Sequence, residues 1–131
     1  MDSIRKDTSD MKHEINRMCE MVHAENTRWW HDLVTGEDLS KNSLFFPSKV
    51  MMVVTELSEA IEADRKKMMD DKLPHRFGVE VELADAVIRI FDLAGGYGMD
   101  LGGAIEEKLQ YNRTRIDHTP EHRSAEGGKS Y

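Results

Sequence analysis

The chain has 131 residues, the size of one domain with a modest hydrophobic core. Its net charge of −7 argues against binding to a nucleic-acid polymer, which requires a basic surface. The first residues lack the apolar core of a signal peptide, and no apolar run approaches the roughly 20 residues that span a bilayer, so we expect no membrane association. Cys19 is the single cysteine, which rules out an intrachain disulfide and favours a reducing, cytoplasmic location.

Four segments have the apolar spacing of α-helices, and no strand pattern competes with them. In chain order, the predicted helices cover residues 11–33, 48–69, 79–94 and 100–115. Pro47 suits the first turn of the second helix, and Gly95 suits the end of the third. Because short connections favour antiparallel packing, we predict an all-α fold of the antiparallel four-helix-bundle type over residues 1–115. Residues 116–131 form a predicted polar tail.

The third predicted helix is apolar around most of its circumference. Its apolar residues, from Leu83 to Ala94, occupy more than one face. A helix of this kind is normally buried from more than one side. Since one small domain offers few ways to surround a helix, we expect oligomerisation to complete the bundle.

Two of the predicted helices each carry a pair of acids one turn apart. Glu56 and Glu59 lie on the second helix, and Glu82 and Asp85 lie on the third. In an antiparallel arrangement these carboxylates would converge, and they would repel one another unless they were protonated or bound to cations. Hard divalent ions, Mg²⁺ in particular, prefer such oxygen ligands. The alternative is a solvated acidic face without an ion.

The inward stripe of the fourth predicted helix changes from apolar to polar along its length. Leu101 and Ile105 begin the stripe, and the same spacing continues with Lys108, Asn112 and Arg115. Ammonium, amide and guanidinium groups are suitable donors to triphosphate oxygens. The alternative is a solvated helix end whose cations interact favourably with the helix dipole.

His23 and Trp30 share a face near the end of the first predicted helix. Trp29 and Trp30 close this helix, and aromatic residues there suit stacking on a base. The alternative is a structural role in the core or at an interface for the tryptophans, and a partly buried structural role for His23. His23 also completes a Glu-x-x-His pattern with Glu20. A di-iron bundle needs that pattern on two helices, and none of the other predicted helices has it, so we prefer Mg²⁺ to redox iron.

Taken together, these residues resemble the MazG-like nucleotide pyrophosphohydrolases of the all-α NTP pyrophosphatase superfamily. The family motif stands here as ELSE, which ends at Glu59, as ELAD, which ends at Asp85, and as KLQYN, which ends at Asn112. The resemblance covers residues 22–115, and the chain is similar to a phage-type branch of the MazG-like proteins. It implies Mg²⁺-dependent hydrolysis of a nucleoside or deoxynucleoside triphosphate to a monophosphate and pyrophosphate, with Mn²⁺ as a substitute ion.

The same resemblance implies roles for individual residues and an assembly. The implied metal ligands are Glu56, Glu59, Glu82 and Asp85. The implied substrate contacts are Lys108, Asn112, Arg115, His23 and Trp30. Glu59 would also take the proton of the attacking water. Residues 1–115 would form the catalytic domain of a homodimer or homotetramer.

The residues alone leave a second hypothesis open. In it, the chain is a non-catalytic helical module that binds nucleotides or partner helices, and the acids form a solvated face. The two hypotheses differ in their need for an ion. Only the hydrolase requires that Mg²⁺ together with a triphosphate stabilise the folded chain.

Overall fold

The computed structural model describes residues 2–115, 120–125 and 127. In chain order, the α-helices are α1 (Asp2–Asn26), α2 (Phe45–Lys66), α3 (Gly78–Gly96), α4 (Leu101–Thr114) and α5 (Pro120–Ser124). Two short 3₁₀ turns, Thr27–Trp30 and Leu39–Lys41, separate α1 from α2. Over the described ranges there are no β-strands, only two isolated bridges, so the all-α prediction is confirmed. None of the helices in these ranges has both the length and the hydropathy that a membrane span needs.

The chain divides into two compact units, which are described separately. The central unit comprises residues 17–99, and the terminal unit comprises the described parts of residues 1–16 and 100–131. The short helix α5 falls within the predicted polar tail, of which residues 116–119, 126 and 128–131 lie outside the described residues. The predicted boundary after residue 115 stays a prediction.

The bounds of α2, α3 and α4 lie within three residues of the predicted bounds, but those of α1 do not. Helix α1 begins at Asp2 and ends at Asn26, so the prediction of a helix over residues 11–33 is wrong at both ends. Asp32 explains part of the difference, because its carboxylate accepts hydrogen bonds from the backbone N–H groups of Val34 and Thr35 at 2.9 and 2.8 Å. Such a side chain stabilises a turn in place of a further helical turn.

Helices α2 and α3 pack against each other along their lengths in the central unit. Glu56 of α2 contacts Arg89 in the second half of α3, whereas Ala63, two turns later in α2, lies beside Gly78 at the start of α3. The two helices are therefore antiparallel. Asp70 stabilises the loop between them by accepting two backbone hydrogen bonds.

Two glycines allow the last turns of α1 and the following 3₁₀ turn to lie close to α3. A Cβ atom at Gly95 would overlap the carbonyl oxygen of Cys19 and the Cβ of His23. A Cβ atom at Gly96 would overlap the indole ring of Trp30. This approach brings side chains of α1 and its 3₁₀ turn to the end of α3.

The buried core of the central unit is small. Its buried apolar residues are Cys19, Trp30, Ala60, Ala63, Ala86 and Ala94. Many larger apolar side chains of α2 and α3 are exposed instead, among them Val50, Val54, Leu57, Ile61, Leu83, Val87 and Ile90. The predicted four-helix bundle and its completion by a second subunit stay predictions.

In the terminal unit, Asp100 caps the start of α4. Its Oδ1 accepts hydrogen bonds from the Gly103 N–H at 2.9 Å and from Asn16 Nδ2 at 2.7 Å. Asn16 Oδ1 accepts in turn from the Gly102 N–H at 2.7 Å, and Lys12 Nζ lies 3.6 Å from Asp100 Oδ2. These contacts fix the first turn of α4 to the part of α1 in the same unit.

Candidate metal centre

Three of the predicted metal ligands come together between α2 and α3. Glu56, Glu59 and Glu82 each offer one carboxylate oxygen, and these oxygens lie within 4.8 Å of one another. Glu56 and Glu59 share a face of α2 because they are one turn apart, and the antiparallel packing brings Glu82 of α3 opposite them. Glu56 is buried, Glu82 is half-buried and Glu59 is exposed. The three carboxylates, called the acidic cluster below, thus extend from the helix interface to the surface.

Glu82 occupies the electrostatically costly position in the acidic cluster. Its Oε2 is buried and has no hydrogen-bond partner among the described residues. Burial raises the pKa of Glu82 to about 7, and the neighbouring Glu56 and Glu59 add to the rise. Near neutral pH Glu82 is therefore partly protonated, and a cation at the same place would also be stabilised.

The fourth predicted ligand, Asp85, lies one turn further along α3, outside the group of converging oxygens. It is half-buried. Burial raises the pKa of Asp85, the negative charge of Glu56 raises it further, and the positive charge of Arg89 opposes both. The charges that shift the pKa of Asp85 therefore include a member of the acidic cluster, Glu56, and the arginine that contacts it.

Arg89 contacts the acidic cluster directly. Its Nε donates to Oε1 of Glu56 at 3.0 Å, and the Glu56 side chain is only 10% exposed. Sequence analysis missed this residue, although its position gave a signal. Arg89 interrupts the apolar run of α3 and lies one turn after Asp85, on the face that carries the acids.

A cavity of about 610 Å³ lies beside the acidic cluster within the central unit. Its lining residues are Asn26, Trp29, Phe45, Ser48, Lys49, Met52, Asp85, Ile88, Arg89 and Asp92. The volume falls within the range of about 300–1,000 Å³ that is usual for small-molecule sites. The lining combines two cations, two acids and two aromatic rings, which are groups that suit a ligand with both charged and planar parts.

Asp92 is a buried acid in the lining of this cavity. Both of its carboxylate oxygens lie 3.0 Å from the donating Nε1 of Trp30. Asp92 Oδ1 also lies 2.9 Å from Nδ1 of His23. Sequence analysis did not single out Asp92, although an acid inside the apolar third helix was a visible signal.

The predicted base contacts His23 and Trp30 are thus brought together, but Trp30 is only 3% exposed. Its ring packs against the ring of His23 at a centroid distance of 4.7 Å. The neighbouring Trp29, which is 51% exposed, lines the cavity instead. In this structure the accessible indole face belongs to Trp29, and the contact of His23 and Trp30 with a base stays a prediction.

A second, smaller recess of about 180 Å³ opens on the other acids of the cluster. Glu59 and Glu82 line it, together with Glu62, Asp70 and Asp71. Asp70 already accepts two backbone hydrogen bonds in the loop between α2 and α3. The recess therefore gives an ion or water a path to Glu59 and Glu82.

The predicted phosphate ligands of α4 belong to the terminal unit. Lys108 is exposed, and its Nζ lies 4.8 Å from the ring centroid of Tyr111. The guanidinium carbon of Arg115 lies 5.8 Å from the centroid of the same ring. Asn112 is half-buried, and its Oδ1 is buried without a hydrogen-bond partner among the described residues. Their binding to phosphate stays a prediction.

Similarity to known proteins does not identify the site. The chain has no significant match among protein-family models, curated proteins or solved structures. The interpretation of the acidic cluster as a metal centre therefore rests on the positions of its own side chains and on the short motifs that contain them.

Proposed function

We propose that the chain is a Mg²⁺-dependent nucleoside triphosphate pyrophosphohydrolase, as its MazG-like motifs imply. The observation that carries the proposal is the convergence of Glu56, Glu59 and Glu82, with an unpartnered buried oxygen on Glu82. Mutually repelling carboxylates at a helix interface are costly unless a cation or a proton is held among them. A cavity whose lining includes the cations Lys49 and Arg89 and the aromatic rings of Trp29 and Phe45 adjoins this cluster.

The donor set fits a divalent cation. Mg²⁺ takes oxygen ligands at about 2.0–2.1 Å, so adjacent ligand atoms lie about 3 Å apart and opposite ones about 4 Å apart. The oxygens of the acidic cluster lie within 4.8 Å of one another, so small side-chain rotations can close the difference. Asp85, one turn along α3, is the fourth proposed ligand. Carboxylates also suit Mn²⁺, which we expect to substitute.

The bound ion would neutralise triphosphate charge and make a water more acidic. Glu59, the exposed member of the cluster, is the proposed general base and takes the proton from the attacking water. The water oxygen forms a bond to the α-phosphorus as the bond between that phosphorus and the oxygen bridging to the β phosphate breaks. Pyrophosphate leaves with the bridging oxygen, and the nucleoside monophosphate remains.

The cavity beside the cluster is the proposed binding site for the rest of the nucleotide. Lys49 and Arg89 are the cations of its lining, and Trp29 and Phe45 are its aromatic rings. Cations suit phosphate oxygens, and aromatic faces suit stacking with a base. We further propose that His23 and Trp30 act on the base indirectly, by holding Asp92 in the lining of the cavity.

The test is the release of pyrophosphate from a panel of common and damaged nucleoside triphosphates, with and without Mg²⁺. We expect Mg²⁺-dependent release from at least one substrate. Glu59→Gln and Asp85→Asn should each lower kcat by at least about a hundredfold, the size expected for loss of a general base or a ligand.

The matched control is Glu80→Gln. Glu80 is an exposed acid of α3, and its Oε1 lies 3.5 Å from Nη1 of Arg76. We expect normal turnover in this variant. Absence of release from every nucleotide would refute the hydrolase, and full activity of Glu59→Gln would refute the assigned site.

The exposed apolar surface of α2 and α3 favours a second candidate, the non-catalytic helical module. Such a module would use this surface to bind a partner helix and would have no need of Mg²⁺. Thermal unfolding separates the candidates. The hydrolase predicts that Mg²⁺ with a nonhydrolysable triphosphate raises the melting temperature, whereas the module predicts no dependence on Mg²⁺.

A further inference from the structure

Arg89 is placed to interact with either of two negatively charged groups. Its Nε donates to the buried carboxylate of Glu56 at 3.0 Å. The Arg89 side chain is also 36% exposed and lines the cavity of about 610 Å³. The same guanidinium therefore lies between the acidic cluster on one side and the proposed nucleotide site on the other.

The contact with Glu56 compensates a buried charge. A carboxylate that is only 10% exposed is costly to bury without a cation or a set of donors. In the metal-free chain Arg89 provides that cation. A divalent ion held by Glu56 would take over this compensation and would repel the guanidinium, so Arg89 and the ion compete for the same carboxylate.

The cavity offers the released side chain a new partner. Burial lowers the pKa of Lys49, and the positive charge of Arg89 adds to the lowering, while the negative charge of Asp92 opposes it. The two cations of the cavity are thus close enough to repel each other, and an anion bound between them would relieve the repulsion. Arginine also forms paired hydrogen bonds with phosphate oxygens.

We propose that Arg89 is an exchangeable cation, which neutralises Glu56 in the metal-free protein and binds a phosphate of the nucleotide once a divalent ion occupies the acidic cluster. The inference rests on the proposed function, because it requires the ion. It adds a substrate-binding residue to the site, and it makes ion and nucleotide binding cooperative through one side chain.

The test measures two affinities in wild type and in Arg89→Gln. Binding of Mn²⁺ alone is followed by the electron paramagnetic resonance signal of the free ion. Removing the competing cation should tighten Mn²⁺ binding by up to about fivefold, the upper end for a solvent-accessible ion pair. Binding of a nonhydrolysable nucleoside triphosphate at saturating Mn²⁺ is followed by calorimetry, and it should weaken about tenfold because a charge-assisted hydrogen bond is lost.

The opposite signs distinguish this role from a structural one. If Arg89 only held Glu56 in place, its removal would weaken the binding of both Mn²⁺ and the triphosphate. Arg89→Lys keeps a charge without the planar fork of donors, so we expect intermediate values for both affinities. This second variant keeps the test decisive if Arg89→Gln does not fold. The control is Arg76→Gln, an exposed arginine of the loop before α3, which should leave both affinities unchanged.

The outcomes separate this inference from the proposed function. Unchanged or weaker Mn²⁺ binding in Arg89→Gln, or unchanged triphosphate binding, overturns the exchange and leaves the metal centre standing. Failure of the wild type to bind Mn²⁺ at all overturns both the exchange and the metal centre.

Discussion

The protonation of Glu82 is linked to the stability of the folded chain. The half-buried carboxyl group of Glu82 faces Glu56 and Glu59, and its pKa is raised to about 7. The folded chain therefore binds a proton at this position more tightly than the unfolded chain does. Deprotonation and ion binding are linked, because carboxylate ligands must lose their protons to bind a metal.

This linkage predicts how the stability of the metal-free protein changes with pH. The stabilising contribution of protonated Glu82 is complete below the ordinary pKa of 4.5 and is lost as the pH rises through about 7. Asp85, whose pKa is also raised, contributes with the same sign. In the presence of a chelator, the melting temperature of wild type relative to Glu82→Gln should fall as the pH rises between these values.

Glu82→Gln is the control, because it keeps the shape of the side chain without the titrating group. The two proteins differ at this one position, so the difference in melting temperature isolates the effect of the Glu82 carboxyl group. A difference in melting temperature that stays constant across this pH range would contradict the raised pKa.

Among single residues, the sequence predicts which acids lie together better than it predicts the side chains that contact them. The spacing of the acids on two helices predicted that four carboxylates converge, and three of them do, those of Glu56, Glu59 and Glu82. Asp85 lies outside the converging group. The sequence did not show that Arg89 pairs with Glu56 or that Asp92 holds Trp30. Those contacts depend on the register between helices, which local periodicity does not determine.

Gly95 allows α1 and α3 to lie close together, because it has no side chain. A Cβ atom at Gly95 would overlap backbone and side-chain atoms of α1. In an isolated helix, Gly→Ala is stabilising by about 0.5–1 kcal/mol. In this packing the overlap with α1 opposes that gain. A loss of stability on Gly95→Ala would therefore indicate that α1 and α3 are in close contact.

We predict that Gly95→Ala lowers the free energy of unfolding by about 1–3 kcal/mol, the usual cost of overpacking. Urea unfolding followed by circular dichroism measures the change. Because Asp92, His23 and Trp30 lie near the same contact, the cavity should lose affinity for a nucleotide in parallel. A stabilised variant would show that α1 does not approach α3 as described.

At the scale of whole elements, the helices were largely predictable, and their ends were not. The apolar periodicity gave α2, α3 and α4 to within three residues. It failed at the end of α1, where residues 27–33 continue the helical spacing. There the structure is decided by the bond of Trp30 to Asp92 on another helix and by the turn at Asp32, which are interactions that override local propensity.

At the scale of the whole molecule, the small buried core contrasts with the exposed apolar surface of α2 and α3. Extended apolar patches on a folded chain commonly mark an interaction surface. We propose that a second copy of the chain covers this surface in a homodimer or a larger homotetramer. Ile61, which is 64% exposed on α2, is a suitable position for a disruptive charge.

Light scattering coupled to gel filtration tests this assembly. The wild type should have the mass of a dimer or tetramer, and Ile61→Asp should shift it towards the monomer of 15.1 kDa. An exposed acid placed on a polar face, such as Lys66→Asp, should leave the mass of the assembly unchanged. A monomeric wild type would contradict the proposed assembly.

The acidic cluster is proposed to hold a divalent ion, and anomalous diffraction can locate such an ion. Crystals of the full chain grown with Mn²⁺ and a nonhydrolysable nucleoside triphosphate should give an anomalous peak within about 2.0–2.4 Å of carboxylate oxygens of Glu56, Glu59 and Glu82. The peak should be absent at this place in Glu82→Gln crystals. A wild-type map with bound triphosphate and no peak among these three carboxylates would contradict the account.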